Sequence, residues 1–102
     1  MNSKVYVVNK TFHDLSAAER YGAITYLSDG PMPRFATNNI LRTFEPILKE
    51  SRRDDYILMS GLTIMTVLAC VYFYNMHGKL NLLIYRQSSN EYVKRTVVIP
   101  GD

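Results

Sequence analysis

From Tyr56 to Tyr74 the chain carries no charged side chain. The stretch reads YILMSGLTIMTVLACVYFY, and it limits what the rest can build. A transmembrane helix takes about 20 apolar residues, so the run is near spanning length. Ser60-Gly61 divides it after a strand-like YILMS. The part from Leu62 to His77 follows helix logic, with Gly78 at the stop position. Another near-continuous apolar strand, Leu80–Tyr85, comes next. Strands buried on both faces look like this where helices cover a parallel sheet. A single span would strand short segments on either side of a bilayer. The strand–helix reading is therefore preferred, and a single-span membrane protein stands as the alternative, since length alone does not exclude it.

The remaining segments fit the same scheme. Lys4–Val8 (KVYVV) is a β-branched and aromatic run that predicts a buried strand. Ser16-Ala-Ala-Glu19 has capping-box spacing, and Gly22 suits the end of a two-turn helix. Ala23–Leu27 predicts a second strand, and Ser28-Asp29-Gly30-Pro31 a loop. Between Phe35 and Ser51, the residues Ile40, Leu41, Phe44, Ile47 and Leu48 mark one face of a helix. Thr37 or a residue just before it is the candidate cap, and Pro46 should kink or loosen the last turn. Arg52-Arg53-Asp54-Asp55 reads as a charged surface turn. Tyr92–Ile99 predicts a last strand, joined by the short polar Gln87–Glu91 and therefore antiparallel to its neighbour.

The order β-α-β-α-β-α-β-β implies an α/β fold: a small Rossmann-like, mainly parallel five-stranded sheet with helices on both faces and a C-terminal antiparallel hairpin strand. Right-handed crossovers favour the strand order 2-1-3-4-5. At 102 residues, one domain over 1–102 is expected. The helix from Leu62 is apolar nearly all round, which predicts cover by the sheet and by a second copy of the chain.

Composition excludes little. A net charge of +3 with scattered basic residues gives no strong nucleic-acid footprint. The single cysteine, Cys70, cannot form an internal disulfide, and the first residues show no secretory pattern. The reading is a protein of the cytoplasm.

Open parallel sheets bind ligands beyond the carboxyl ends of their strands. The residues expected there are Asn9, Lys10, Thr11 and His13 after the first strand and Ser60, Gly61 and Thr63 after the third. Arg86 follows the fourth. A helix opening at Ser60-Gly61 points free amides and its positive end to this edge, and Lys10 and Arg86 add charge. The edge suits a small anionic, nucleotide-like ligand. Plain helix capping by Ser60 is the competing explanation, since neither G-x-G-x-x-G nor a Walker-type lysine is present.

Catalytic signatures are missing. A Ser60–His13–Asp14 system lacks a G-x-S-x-G elbow, and His13 and His77 fall at opposite sheet edges. His77 at a helix C-terminus is accounted for by the dipole. One Cys and two separated His give no metal-ligand spacing, and no cofactor is implied.

KVYVVNKTFHDLSAAERYG, the stretch DDYILMSGLTIMTVLACVYFYNMHGKLNLLIY and YVKRTVV together resemble small bacteriophage proteins, over most of the chain. The resemblance implies an accessory phage protein, one that counters host defence, and carries no residue roles with it. In fold alone the architecture is similar to compact Rossmann-like domains that bind cyclic nucleotides across a dimer interface, which does not fix function. The expectation is a homo-oligomeric, non-enzymatic binding module for an anionic nucleotide-like ligand. The alternatives are an inhibitor of a host protein and, more remotely, a nucleotide hydrolase using His13.

Overall fold

The structure is a computed structural model and describes residues 2–101. The elements follow in the order Lys4–Val7 (β1), a 3-10 turn at Ser16–Ala18, Ala23–Tyr26 (β2), Thr37–Leu48 (α1), Tyr56–Leu58 (β3), Thr63–His77 (α2), Leu80–Arg86 (β4), a 3-10 turn at Gln87–Ser89, and Glu91–Val97 (β5). They form one five-stranded sheet in the order β2-β1-β3-β4-β5. The β1, β2, β3 and β4 pairings are parallel, and β5 runs antiparallel to β4. This is the expected α/β class and strand order. The uncharged run resolves into β3 and α2. At 1.5 Å per residue the 15 residues of α2 span about 22 Å, against about 30 Å of bilayer hydrocarbon. No helix among the described residues is long and apolar enough to cross a membrane.

Crossover handedness distributes the helices. The chain steps from β1 to β2 in one direction, then back past β1 to β3 and onward to β4. Right-handed connections therefore put the first crossover on one face and α1 and α2 on the other. The α face packs Ile40, Phe44 and Leu48 of α1 and Met65, Ala69 and Phe73 of α2 against Tyr6, Val8 and Ile57. The opposite face is thinner: Leu15, Ala17, Ala18 and Tyr21 cover Val5, Val7, Leu58 and Leu83. Burial pushes the Cys70 thiol up to about 11, in keeping with a small hydrophobic side chain.

Two expectations are corrected. The segment after β1 is a single 3-10 turn rather than a two-turn helix, and its capping box is not formed. Asp14 accepts the Ser16 amide instead, at 2.9 Å, while Glu19 only donates its backbone N–H to the Ser16 carbonyl. Nor does Gly22 act as a helix stop. It avoids the left-handed region, and what it supplies is clearance. A Cβ there would overlap the Ser3 carbonyl, which receives the Ala23 amide and starts the β1–β2 ladder. Gly78, by contrast, does take the left-handed C-cap conformation, with φ 67° and its amide on the Tyr74 carbonyl at 2.7 Å. Thr37 begins α1 without a side-chain capping bond, the N-cap being Ala36, and the helix continues two residues past Pro46.

Asp55 is a further correction. Instead of lying in a surface turn it is 1% exposed. Its carboxylate accepts the Lys4 amide at 2.9 Å, the Arg52 amide at 2.7 Å and, more weakly, the Tyr6 hydroxyl at 3.5 Å. Burial, with that carboxylate beside it, raises the Tyr6 phenol well above its ordinary range. Buried Asn81 donates to the carbonyls of Arg53 and Asp55 and accepts the Thr96 hydroxyl. The amino edge is thus joined by side chains from β1 across to β5. Nearby, Ser51 Oγ lies 2.8 Å from His77 Nε2. Burial holds the His77 pKa below its usual value, outweighing the attraction of Asp55, with Arg53 lowering it further. Burial thus disfavours the charged ring that a helix C-terminus would favour.

Asp55→Ala leaves two amides and a phenol without their acceptor. It is expected to destabilise the fold by about 3 kcal/mol, with Asp55→Asn losing less, as urea unfolding would measure. His77 gives a signed pH dependence. Its folded pKa lies below the unfolded value, so its contribution is complete above about 6.5 and declines as pH falls from there toward the folded pKa. Unfolding midpoints from pH 8 to 5, a range chosen about that value, should show this decline in the wild type and a flatter profile in His77→Gln.

Candidate functional site

Strand order 2-1-3-4-5 reverses direction between β1 and β3, and a crevice opens beyond their carboxyl ends. The crevice encloses about 360 Å³, within the range of small-molecule sites. It lies on the thinly covered side of the sheet. Its apolar wall is formed by Val7, Leu15, Leu58, Met59, Leu62 and Tyr92. Its polar lining is Asn9, Lys10, Thr11, His13, Ser60 and Gly61. Six of the residues expected from sequence therefore come together at one site.

These six differ in what they have free. Asn9 donates to the Gly30 carbonyl at 2.9 Å and accepts the Lys10 amide and the Ser28 hydroxyl. Its side chain clamps the β1 loop to the β2 loop and has little left for a ligand. Thr11 Oγ1 accepts the His13 amide at 3.1 Å. Ser60 Oγ accepts the Leu62 amide and lies 3.2 Å from Thr66 Oγ1; the N-cap of α2 is Leu62 with no side-chain capping bond, so Ser60 ties the turn before the helix instead of capping it. The Lys10 ammonium and the His13 ring are exposed, and neither makes a side-chain hydrogen bond or ion pair among the described residues. At the α2 start, the amides of Gly61 and Thr63 donate to no acceptor among the described residues. A Cβ on Gly61 would meet nothing within 4 Å. The space in front of this turn is open.

Thr63 and Arg86 fall outside the cleft. Thr63 lines a neighbouring groove along α2. Arg86 is drawn to the β4–β5 hairpin, where it donates to Ser89 at 2.9 Å and pairs with Glu91 at 2.9 Å. That hydrogen bond also lowers the Glu91 pKa. Hairpin closure at Asn90, in the left-handed region with φ 52°, brings the two together. No hydrogen bond joins His13 to Ser60 or Asp14, and the Asp14 carboxylate is held by Ser16, which lowers its pKa. Among the described residues no three His, Cys, Asp or Glu side chains gather where they could hold a metal ion.

Sequence reasoning did not place the apolar wall. Leu58 and Met59 carried a signal as the last residues of a buried strand. Tyr92 carried none, because only the β4–β5 register, Tyr85 opposite Tyr92, brings it to this side. Two loops at the same edge expose Phe12 and Phe35 almost completely.

Neither the curated proteins nor the solved structures give a match to this chain. A family model does, over residues 3–99. With nearly the whole chain matched, the protein belongs to the bacteriophage family described as Phage Pam3 gp32-like protein.

Proposed function

We propose that this phage protein is a small accessory binding module that holds an anionic, nucleotide-like ligand in the β1/β3 crevice without turning it over. The observation that carries the reading is the juxtaposition of two kinds of surface at one topological switch point. An apolar wall from Leu15, Leu58, Leu62 and Tyr92 fits a planar ring system. Beside it lie the Lys10 ammonium and the unengaged Gly61 and Thr63 amides at the positive end of α2, which fit a phosphate. His13 lines the same space and can donate to an oxyanion. Sequestration of a signalling nucleotide is one way an accessory phage protein counters host defence, and this site is suited to that role.

A second reading is favoured by Phe12 and Phe35. Exposed aromatics at an edge are typical anchors for a protein partner, and a host factor could be inhibited through them.

Thermal shift and calorimetry against cyclic and linear nucleotides and inorganic phosphate separate the two. A ligand at a hundredfold excess over Kd stabilises by about 2.7 kcal/mol, a Tm rise on the order of 10 °C. Lys10→Ala should weaken binding by roughly tenfold or more. Gly61→Val, with open space for its side chain, should fold normally and obstruct the phosphate position. No stabilisation by any compound, or stabilisation indifferent to both substitutions, overturns the ligand reading. A stoichiometric host partner lost on Phe12→Ser and Phe35→Ser, and kept on Lys10→Ala, would establish the second.

A further inference from the structure

We propose that the outer face of α2 and the adjoining face of the β4–β5 ribbon form a homodimer interface covered by a second copy of this chain. The inference is independent of the ligand reading and starts from the uneven packing of α2. The helix buries Met65, Ala69 and Phe73 toward the sheet and α1, yet it has no polar face to offer solvent. Val67 and Val71 are 47% and 58% exposed on its outer side. On the ribbon, Leu80, Leu82 and Ile84 face the helices, and their β5 partners Val97, Arg95 and Val93 share that face. No third helix covers them, and Ile84 and Val97 stay about 40% exposed. Tyr74 binds the Ile99 amide at 2.7 Å, which holds the C-terminal segment beside α2. Along α2 and the turn before it runs a groove of about 270 Å³, lined by Met59, Val67, Cys70 and Val71 with Ser60, Thr63 and Thr66 among them.

The charge pattern selects the occupant. In a two-fold contact each patch meets its own copy, so any net charge repels itself. From Tyr56 to Gly78 there is no Asp, Glu, Lys or Arg. The α2 half of the surface can therefore face itself without penalty, and it offers a charged partner nothing to pair with. Arg95 is a cation on the ribbon half of the patch, which the two-fold contact must leave at its solvated rim. It sits on the outermost strand and turns back to the Lys94 carbonyl at 2.8 Å. Area agrees with this occupant. Met59, Val67, Val71, Ile84, Val97 and Ile99 are 39–63% exposed, on the order of 400 Å² of apolar surface together. That is the apolar centre of a standard interface of roughly 800 Å² per partner. Met59 and Ser60 line both this groove and the ligand cleft, so the second copy would sit beside the cleft.

Light scattering after size exclusion, and sedimentation from micromolar to millimolar protein, test the proposal. The wild type should have twice the monomer mass. Val71→Glu should have the monomer mass with an unchanged far-ultraviolet circular dichroism spectrum. Val67→Lys and Ile99→Asp are made in parallel, so that misfolding of one leaves the others to decide. Phe12→Asp, at the carboxyl edge, should keep the doubled mass. A wild type of monomer mass throughout overturns the proposal. So does a doubled mass that survives the α2 and Ile99 substitutions, or one that Phe12→Asp alone abolishes.

Discussion

The Asp55 carboxylate is the contact on which the rest of the arrangement rests. It is a charge with almost no solvent contact, and such a group persists only where donors surround it. The donors come from Lys4 at the start of β1, from Arg52 in the turn before β3, and from the Tyr6 phenol. Satisfying it fixes how β1 enters the sheet beside β3. The register that follows, Val5 opposite Tyr56 and Tyr6 opposite Ile57, sends Val5 and Tyr6 to opposite faces. A one-residue slip would exchange those faces. Asn81 extends the same constraint to β4 and, through Thr96, to β5.

The two ends of the sheet are therefore unlike. At the amino edge buried polar atoms are paired with one another, down to the Ser51–His77 contact. At the carboxyl edge Gly61 and Lys10 line an open crevice, and the Thr63 amide beside them has no acceptor among the described residues. The crossover geometry that made the crevice also left one face of the sheet covered by little more than a 3-10 turn. It left the β4–β5 ribbon with no helix of its own. A ligand at the first opening and a second copy over the other would each supply cover that this short chain lacks.

Much of this was legible in the sequence because it depends on period and punctuation. Ser60-Gly61 and Gly78 divided the uncharged run into strand and helix, and the alternation of elements with right-handed crossovers gave the strand order. The cleft residues Asn9–His13 and Ser60-Gly61 followed from strand ends alone. What failed depended on tertiary context. Asp55 sits in a row of four charged residues, and nothing local separates the one that turns inward. The Ser16–Glu19 pattern gave no cap because the segment is held by Asp14 and packs as a turn under the sheet. Arg86 was expected at the ligand edge, but the hairpin supplied Glu91, a nearer partner. Gly22 is required for clearance from Ser3 and not for a left-handed backbone, a tertiary need that its helix-stop position does not reveal.

A ligand held in the crevice between β1 and β3 would rest on the stapled amino edge as its rigid support. Amide chemical-shift mapping during a nucleotide titration tests this most directly. Saturable shifts are expected at Lys10, Gly61 and Thr63, with the Asp55 and Asn81 amides unmoved. Saturable shifts centred on any other surface, or none at any of these amides, would contradict it.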